Sequence, residues 1–140
     1  MSKALWLNLP VRDLEASRAF YASLGFRIHD NHPDPGSVAL TVGEPGVTVM
    51  LFPVQTFERF AGIAAADTGR GAEVLVSVGA DSREEVDALA AKAERAGGQV
   101  YGRPGSPDGW MYGCGFADPD GHRWNVLYMD PAQAPGGGAK

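Results

Sequence analysis

Apolar and polar residues alternate one by one along 5–11. Leu5, Leu7, Leu9 and Val11 share one face and Trp6, Asn8 and Pro10 the other, which predicts a strand with one side in a core. Pro10 has no N–H to give to a ladder, so this strand belongs at an edge or an irregularity. The period then changes. After Asp13, a suitable N-cap, Ala16, Ala19, Phe20, Tyr21 and Leu24 recur at helical spacing until Gly25 ends the run. Residues 26–28 start a strand, and 30–36 hold too many Asp, Asn, Pro and Gly for regular structure. Residues 38–42 and 47–52 read as two strands joined at Glu44-Pro45-Gly46, so the first half is β-α-β-β-β.

The same order then returns. In 73–78, Val74, Val76 and Val78 oppose Glu73, Leu75 and Ser77. Ser82-Arg83-Glu85 carries the spacing of a capping box, and Val86, Leu89, Ala90, Ala93 and Ala96 form a helical stripe that Gly97-Gly98 stops. Three strands follow, at 99–102, 110–116 and 123–128, separated by a loop over 104–109 and by the turn Asp118-Pro119-Asp120-Gly121. In that turn Pro sets φ, the Asp carboxylates can bond nearby amides, and Gly accepts positive φ. On the last strand Trp124, Val126 and Tyr128 look coreward, while Arg123, Asn125, Leu127 and Met129 take the opposite face. Phe57, Phe60 and Ile63 have near-helical spacing in a segment that ends in Asp67-Thr68-Gly69-Arg70-Gly71. The expected organisation is a first module over 1–55, a partly helical connector over 56–70, a second module over 71–130 and a loose tail over 131–140.

A repeated βαβββ unit implies an α+β fold of two tandem modules. Each is too small to bury its own sheet, so the two share a core, with the helices outside and a cleft between curved sheets. The inner faces would present Trp6, Asn8, Thr48, Met50, Phe52, Glu73, Leu75, Ser77, Arg123, Asn125 and Leu127, an apolar lining with a few polar groups, as small-molecule sites have. With 140 residues, 44% of them hydrophobic, one core can be filled. The net charge of −5 and the absence of clustered Lys and Arg argue against a nucleic-acid partner. No apolar run reaches membrane-spanning length and the N-terminus lacks a signal-peptide pattern, so a cytoplasmic protein is expected. The single cysteine, Cys114, has no internal disulfide partner.

Two stretches carry a family resemblance. Asn8-Leu9-Pro10-Val11-Arg12-Asp13-Leu14, continued by Ser17, Phe20, Tyr21 and Leu24-Gly25-Phe26, is one; Phe116 with Asp118-Pro119-Asp120-Gly121-His122 and Trp124 is the other. Together they resemble the vicinal oxygen chelate superfamily, which includes glyoxalase I, extradiol dioxygenases, fosfomycin-modifying enzymes and bleomycin-resistance proteins. The resemblance implies an open barrel around a cleft, often shared in a homodimer. It also implies a divalent metal held by one His or Glu from each of four inner strands. Those places fall on Trp6, with Asn8 as its nearest neighbour on that face, and on Met50, Glu73 and Asn125. Of these only Glu73 is an ordinary ligand, since indole and thioether do not hold hard cations and one amide oxygen is weak. Neither a metal nor another cofactor is expected.

Other candidates have plainer explanations. His29 and His32 have a zinc-like spacing, but beside Pro33 and Pro35 they read as part of a solvated loop. His122 follows a turn glycine and should bond backbone or water. Cys114 lacks a neighbouring base and reads as a packed thiol. Glu73 is either a general base or the ion-pair partner of Arg123. Trp6, Phe52, Trp110 and Tyr112 serve equally as core or as a platform for a ligand.

Three functional classes follow. The first is a metal-independent protein binding a small, aromatic or hydrophobic molecule, similar to the antibiotic-resistance branch of the family, with Trp6, Asn8, Met50, Phe52, Glu73, Leu75, Trp110, Tyr112, Arg123 and Asn125 around the ligand. The second is a lyase- or dioxygenase-type enzyme with a non-standard site using Glu73. The third is a scaffold without a ligand cleft. A homodimer is the expected assembly.

Overall fold

In the computed structural model, which describes residues 4–29, 35–44 and 46–131, the alternation at the start of the chain becomes strand β1 (Trp6–Val11). Asp13 caps helix α1 (Leu14–Ser23), its carboxylate accepting the Ala16 N–H at 3.1 Å, and Gly25 leaves the helix at φ 92°. Strands β2 (Arg27–His29), β3 (Val38–Val42) and β4 (Val47–Pro53) complete the first module. Helix α2 (Val54–Ala61) follows, then β5 (Leu75–Gly79), α3 (Arg83–Arg95), β6 (Gln99–Gly105), β7 (Met111–Ala117) and β8 (Arg123–Met129). Each module forms a four-stranded sheet, in the orders β1-β4-β3-β2 and β5-β8-β7-β6. The β1–β4 and β5–β8 pairs are parallel and the other neighbours antiparallel. Pro10 thus sits in an edge strand, where its missing N–H costs no ladder bond. His32, most of the expected loop at 30–36 and the tail after residue 131 lie outside the described residues.

Several boundaries differ from the sequence reading for identifiable reasons. The alternation of 73–78 continues backwards through Glu73, but Leu75 pairs with Arg123, the first residue of β8, so no strand lies opposite Glu73 and it precedes β5 as an exposed residue. The Ser82 hydroxyl caps α3 by accepting the Glu85 N–H at 3.1 Å. The returning bond goes one residue further back than expected, with Glu85 accepting the Asp81 N–H at 2.6 Å.

The outer faces of both sheets and the helices close over one core. Val11, Phe20, Tyr21, Leu40, Val49 and Leu51 of the first module join Val86, Ala93, Phe116, Trp124 and Val126 of the second. Aromatic rings cross the seam: Phe20 and Phe116 lie 6.0 Å apart, Tyr21 and Trp124 5.7 Å, Phe26 and Trp124 5.4 Å. Neither module could cover this surface alone.

A polar lock sits beside the rings, and it is built from the two motifs quoted above. Asp118, almost fully buried, accepts the N–H groups of Asp120 (3.0 Å) and His122 (2.8 Å) on one oxygen and the Tyr21 hydroxyl (2.5 Å) on the other. The Tyr21 oxygen in turn accepts the Trp124 indole N–H at 3.1 Å. Asp120 accepts from the Arg12 backbone and side chain, both at 2.9 Å, and from the Ser17 hydroxyl at 3.1 Å, while the His122 ring reaches the Pro10 carbonyl at 2.6 Å. Burial pushes the Asp118 carboxyl above its usual range, and burial together with the neighbouring Asp118 pushes the Tyr21 phenol well above its own. The motifs therefore join the end of the chain to its beginning.

Candidate functional site

Strand alternation decides which side chains leave the core. In the first sheet the inner rows pair Trp6 with Thr48, Asn8 with Met50, and Pro10 with Phe52; in the second they pair Leu75 with Arg123, Ser77 with Asn125, and Gly79 with Leu127. These are the inner-face residues expected from the sequence, apart from Glu73. Edge strands β1 and β5 come together at Leu7 and Val76, which line two hollows at once. One, of about 630 Å3, includes Trp6, Phe26, Val47, Ser77 and Leu89; the other, of about 470 Å3, includes Asn8, Phe57, Ile63, Glu73, His122 and Arg123. A third, of about 280 Å3, lies on the second sheet between Tyr101, Gly113, Gly115, Asn125 and Leu127.

The ten expected ligand contacts divide among these places. Trp6 (59% exposed) and Leu75 (53% exposed) present open apolar surface on the inner faces of the two edge strands, with Asn8 exposed beside the half-buried Met50. Phe52 is buried edge-on against Phe60 of α2, with ring centres 5.3 Å apart, and is part of the packing under the connector rather than an open platform. Trp110 precedes β7, where its carbonyl accepts the Asp130 N–H at 3.0 Å, and it lines none of the three hollows. Tyr112 is a correction. It shares the face of Cys114 and Phe116 that packs on α3, its hydroxyl donates to Asp87 at 2.6 Å, and Arg83 lies over its ring at 5.2 Å. Cys114 is buried, with its thiol pushed up by that burial and 3.8 Å from the Val86 carbonyl, and the His122 ring meets backbone as expected.

Tyr101 was not singled out from the sequence, yet it organises the inner face of the second sheet. Its ring lies against Gly115, where a Cβ would come within 2.5 Å of it, so the glycine makes room for the tyrosine. The hydroxyl is 3.1 Å from the Trp124 carbonyl and 3.2 Å from the Asn125 amide oxygen. The Arg123 guanidinium lies 4.5 Å from the ring centre. Burial raises the phenol's pKa and Arg123 only partly offsets it, so the hydroxyl remains a neutral donor at physiological pH. Across the cleft, on the first sheet, His29 bonds the Thr41 hydroxyl.

The donor set does not suit a divalent ion. The rows nearest the β1–β5 contact offer Asn8, Met50, Ser77 and Asn125, and the adjacent rows offer Trp6, Thr48, Leu75 and Arg123: neutral or cationic groups throughout. Glu73 stands outside β5, and among the described residues no three His, Cys, Asp or Glu side chains converge to hold a metal.

Residues 3–126 match the description Glyoxalase/Bleomycin resistance protein/Dioxygenase superfamily. The uncharacterized protein PA2024 of Pseudomonas aeruginosa is 33% identical over 127 residues, which cover 89% of this chain and 87% of that protein. The structure of hypothetical protein SA1046 from S. aureus superposes with a TM-score of 0.81 at 36% identity, over 92% of this chain and 95% of that one. A glyoxalase-related enzyme from Fulvimarina pelagi shares the fold with a TM-score of 0.77 at 24% identity, over 91% of this chain and 88% of that one. The repeated βαβββ modules, their sheet order and these matches lead to one conclusion: the chain belongs to the Glyoxalase/Bleomycin resistance protein/Dioxygenase superfamily.

Proposed function

We propose that the inner faces bind a small organic molecule with an aromatic or conjugated surface, without a divalent metal, and that sequestering such a molecule, as an antibiotic-resistance protein does, is the role of the chain. The observation that carries this is the open indole of Trp6 on an edge strand, facing a cleft whose matched positions on β1, β4, β5 and β8 hold no carboxylate or imidazole, while the imidazole of His29 on β2 is bonded to the Thr41 hydroxyl. Apolar contact supplies most of the affinity. Asn125, fixed by Tyr101, gives orientation instead.

Titrating planar, quinone-containing or bleomycin-like compounds in the presence of EDTA is expected to quench tryptophan fluorescence saturably. Trp6→Ala should weaken binding by about 1–3 kcal/mol, and Asn125→Ala should cost less while reordering which compounds are preferred. If no compound saturates, or Trp6→Ala binds like wild type, the cleft is not the site.

We further propose that a second copy of the chain completes the cleft. Leu5 (69% exposed) and Val74 (51% exposed), each lining one of the two larger hollows, add to the open apolar surface of Trp6 and Leu75, an amount that a symmetric partner covers well. Light scattering at micromolar concentration should return the mass of two chains; a single-chain mass rejects the dimer.

A further inference from the structure

We propose that the ligand of this cleft carries an acidic group, a carboxylate or a phosphate, whose counter-ion is Arg123. This rests on the binding function proposed above and narrows its ligand class. Arg123 opens β8 on the inner face and is half-buried at the wall of the 470 Å3 hollow. Among the described residues no carboxylate pairs with it, and it is held against an aromatic ring. Its surroundings are apolar, with Phe57, Ile63 and Val74 lining the same hollow. Glu73 shares that hollow without forming an ion pair, and the His122 ring is occupied by the Pro10 carbonyl.

A guanidinium in such a place is held rather than loose. It rests on the Tyr101 ring at 4.5 Å, and Tyr101 is itself fixed by Gly115 beneath and by Trp124 and Asn125 at its hydroxyl. Among the described residues no ion pair occupies its N–H groups, and a pair of oxygens on one ligand group is what arginine binds in recognising carboxylate or phosphate. The chain as a whole carries −5, so the attraction is local to this arginine and not a property of the surface. A cationic ligand would meet Arg123 head-on.

The test uses one flat body with four substituents: 2-naphthoate, 2-naphthyl phosphate, 2-naphthamide and a 2-naphthyl trimethylammonium salt, titrated by tryptophan fluorescence. Wild type should bind one of the two anions about tenfold or more tighter than the amide, and the two anionic arms separate a carboxylate site from a phosphate site. Arg123→Gln should abolish the preference, bringing the anions to within about twofold of the amide measured on the same variant. Independently of any variant, raising NaCl from about 20 to about 500 mM should weaken the anions and spare the amide. Equal binding of amide and anions, a preference for the trimethylammonium compound, salt-insensitive anion binding, or an Arg123→Gln protein that keeps the anion preference would overturn this inference alone. If none of the four binds, the cleft-binding function falls with it.

Discussion

Trp124→Ala is expected to remove about 3–5 kcal/mol of folding stability, the range for a large aromatic deleted from a tight core. The indole is fully buried and touches rings from both modules: Tyr21 at 5.7 Å, Phe26 at 5.4 Å and Phe116, stacked parallel, at 6.2 Å. The cavity would open at the seam, where neither sheet can collapse into it without moving the other. The Tyr21 hydroxyl would also lose its donor. With a urea slope of about 2 kcal/mol per molar, the unfolding midpoint should fall by roughly 2 M. Trp124→Phe, which keeps a ring but no N–H, should lose distinctly less. A midpoint for Trp124→Ala within a few tenths of wild type would show that the modules do not depend on this contact.

Asp118→Ala should be the second most damaging change, at about 2–4 kcal/mol, because it strands the Tyr21 hydroxyl and the amides of Asp120 and His122 at once. Asp118→Asn probes the charge itself. Burial raises the carboxyl's pKa above its ordinary 3.8, against the pull of His122 and of the Tyr21 hydrogen bond. For a group raised in the folded state, the stabilising contribution is complete below the unfolded pKa and declines as pH climbs through the folded one. The stability of wild type relative to Asp118→Asn should therefore be greatest in acid and shrink from about pH 4 upward. Urea midpoints of both proteins between about pH 3 and 7 would show this, and a gap that widens with pH would mean that the ionised carboxylate is the favoured form.

Period-two alternation made the fold and the inner rows legible, because a strand with one buried face leaves its partner face no choice. That is why Trp6, Asn8, Met50 and Asn125 stand where their parity put them. The misplacements have physical origins. Tyr112 was grouped with ligand platforms for its ring, although its parity with Cys114 and Phe116 already assigned it to the helix side. Glu73 has the correct parity but no neighbour, since pairing stops where β8 begins, and that is a fact about another strand. Phe52 lost its freedom to α2, whose exact seat a connector of loose periodicity does not announce. Tyr101 could have been found from the glycine opposite: Gly115, on a strand of mostly larger residues, signals something lying across it. Which aromatic side chain would fill that space depended on the irregular β6–β7 pairing, where the register shifts between Val100 and Gly105. The polar lock was half visible, as a turn whose Asp side chains bind amides; its other partners come from far away in the chain.

That distance has a consequence for how the protein is made. Tyr21 and Asp118 are separated by 97 positions and His122 and Pro10 by 112. A ribosome therefore delivers β1 and α1 long before it has synthesised the rings and carboxylates that hold them. Until β7 and β8 emerge, Phe20, Tyr21 and Phe26 have only their own small sheet to cover them, and the nascent chain shows an adhesive apolar face to its surroundings. Closing contacts of such span slows folding, and the interval is one in which chaperones or aggregation can act. The order of manufacture leaves the beginning of this protein waiting on its end.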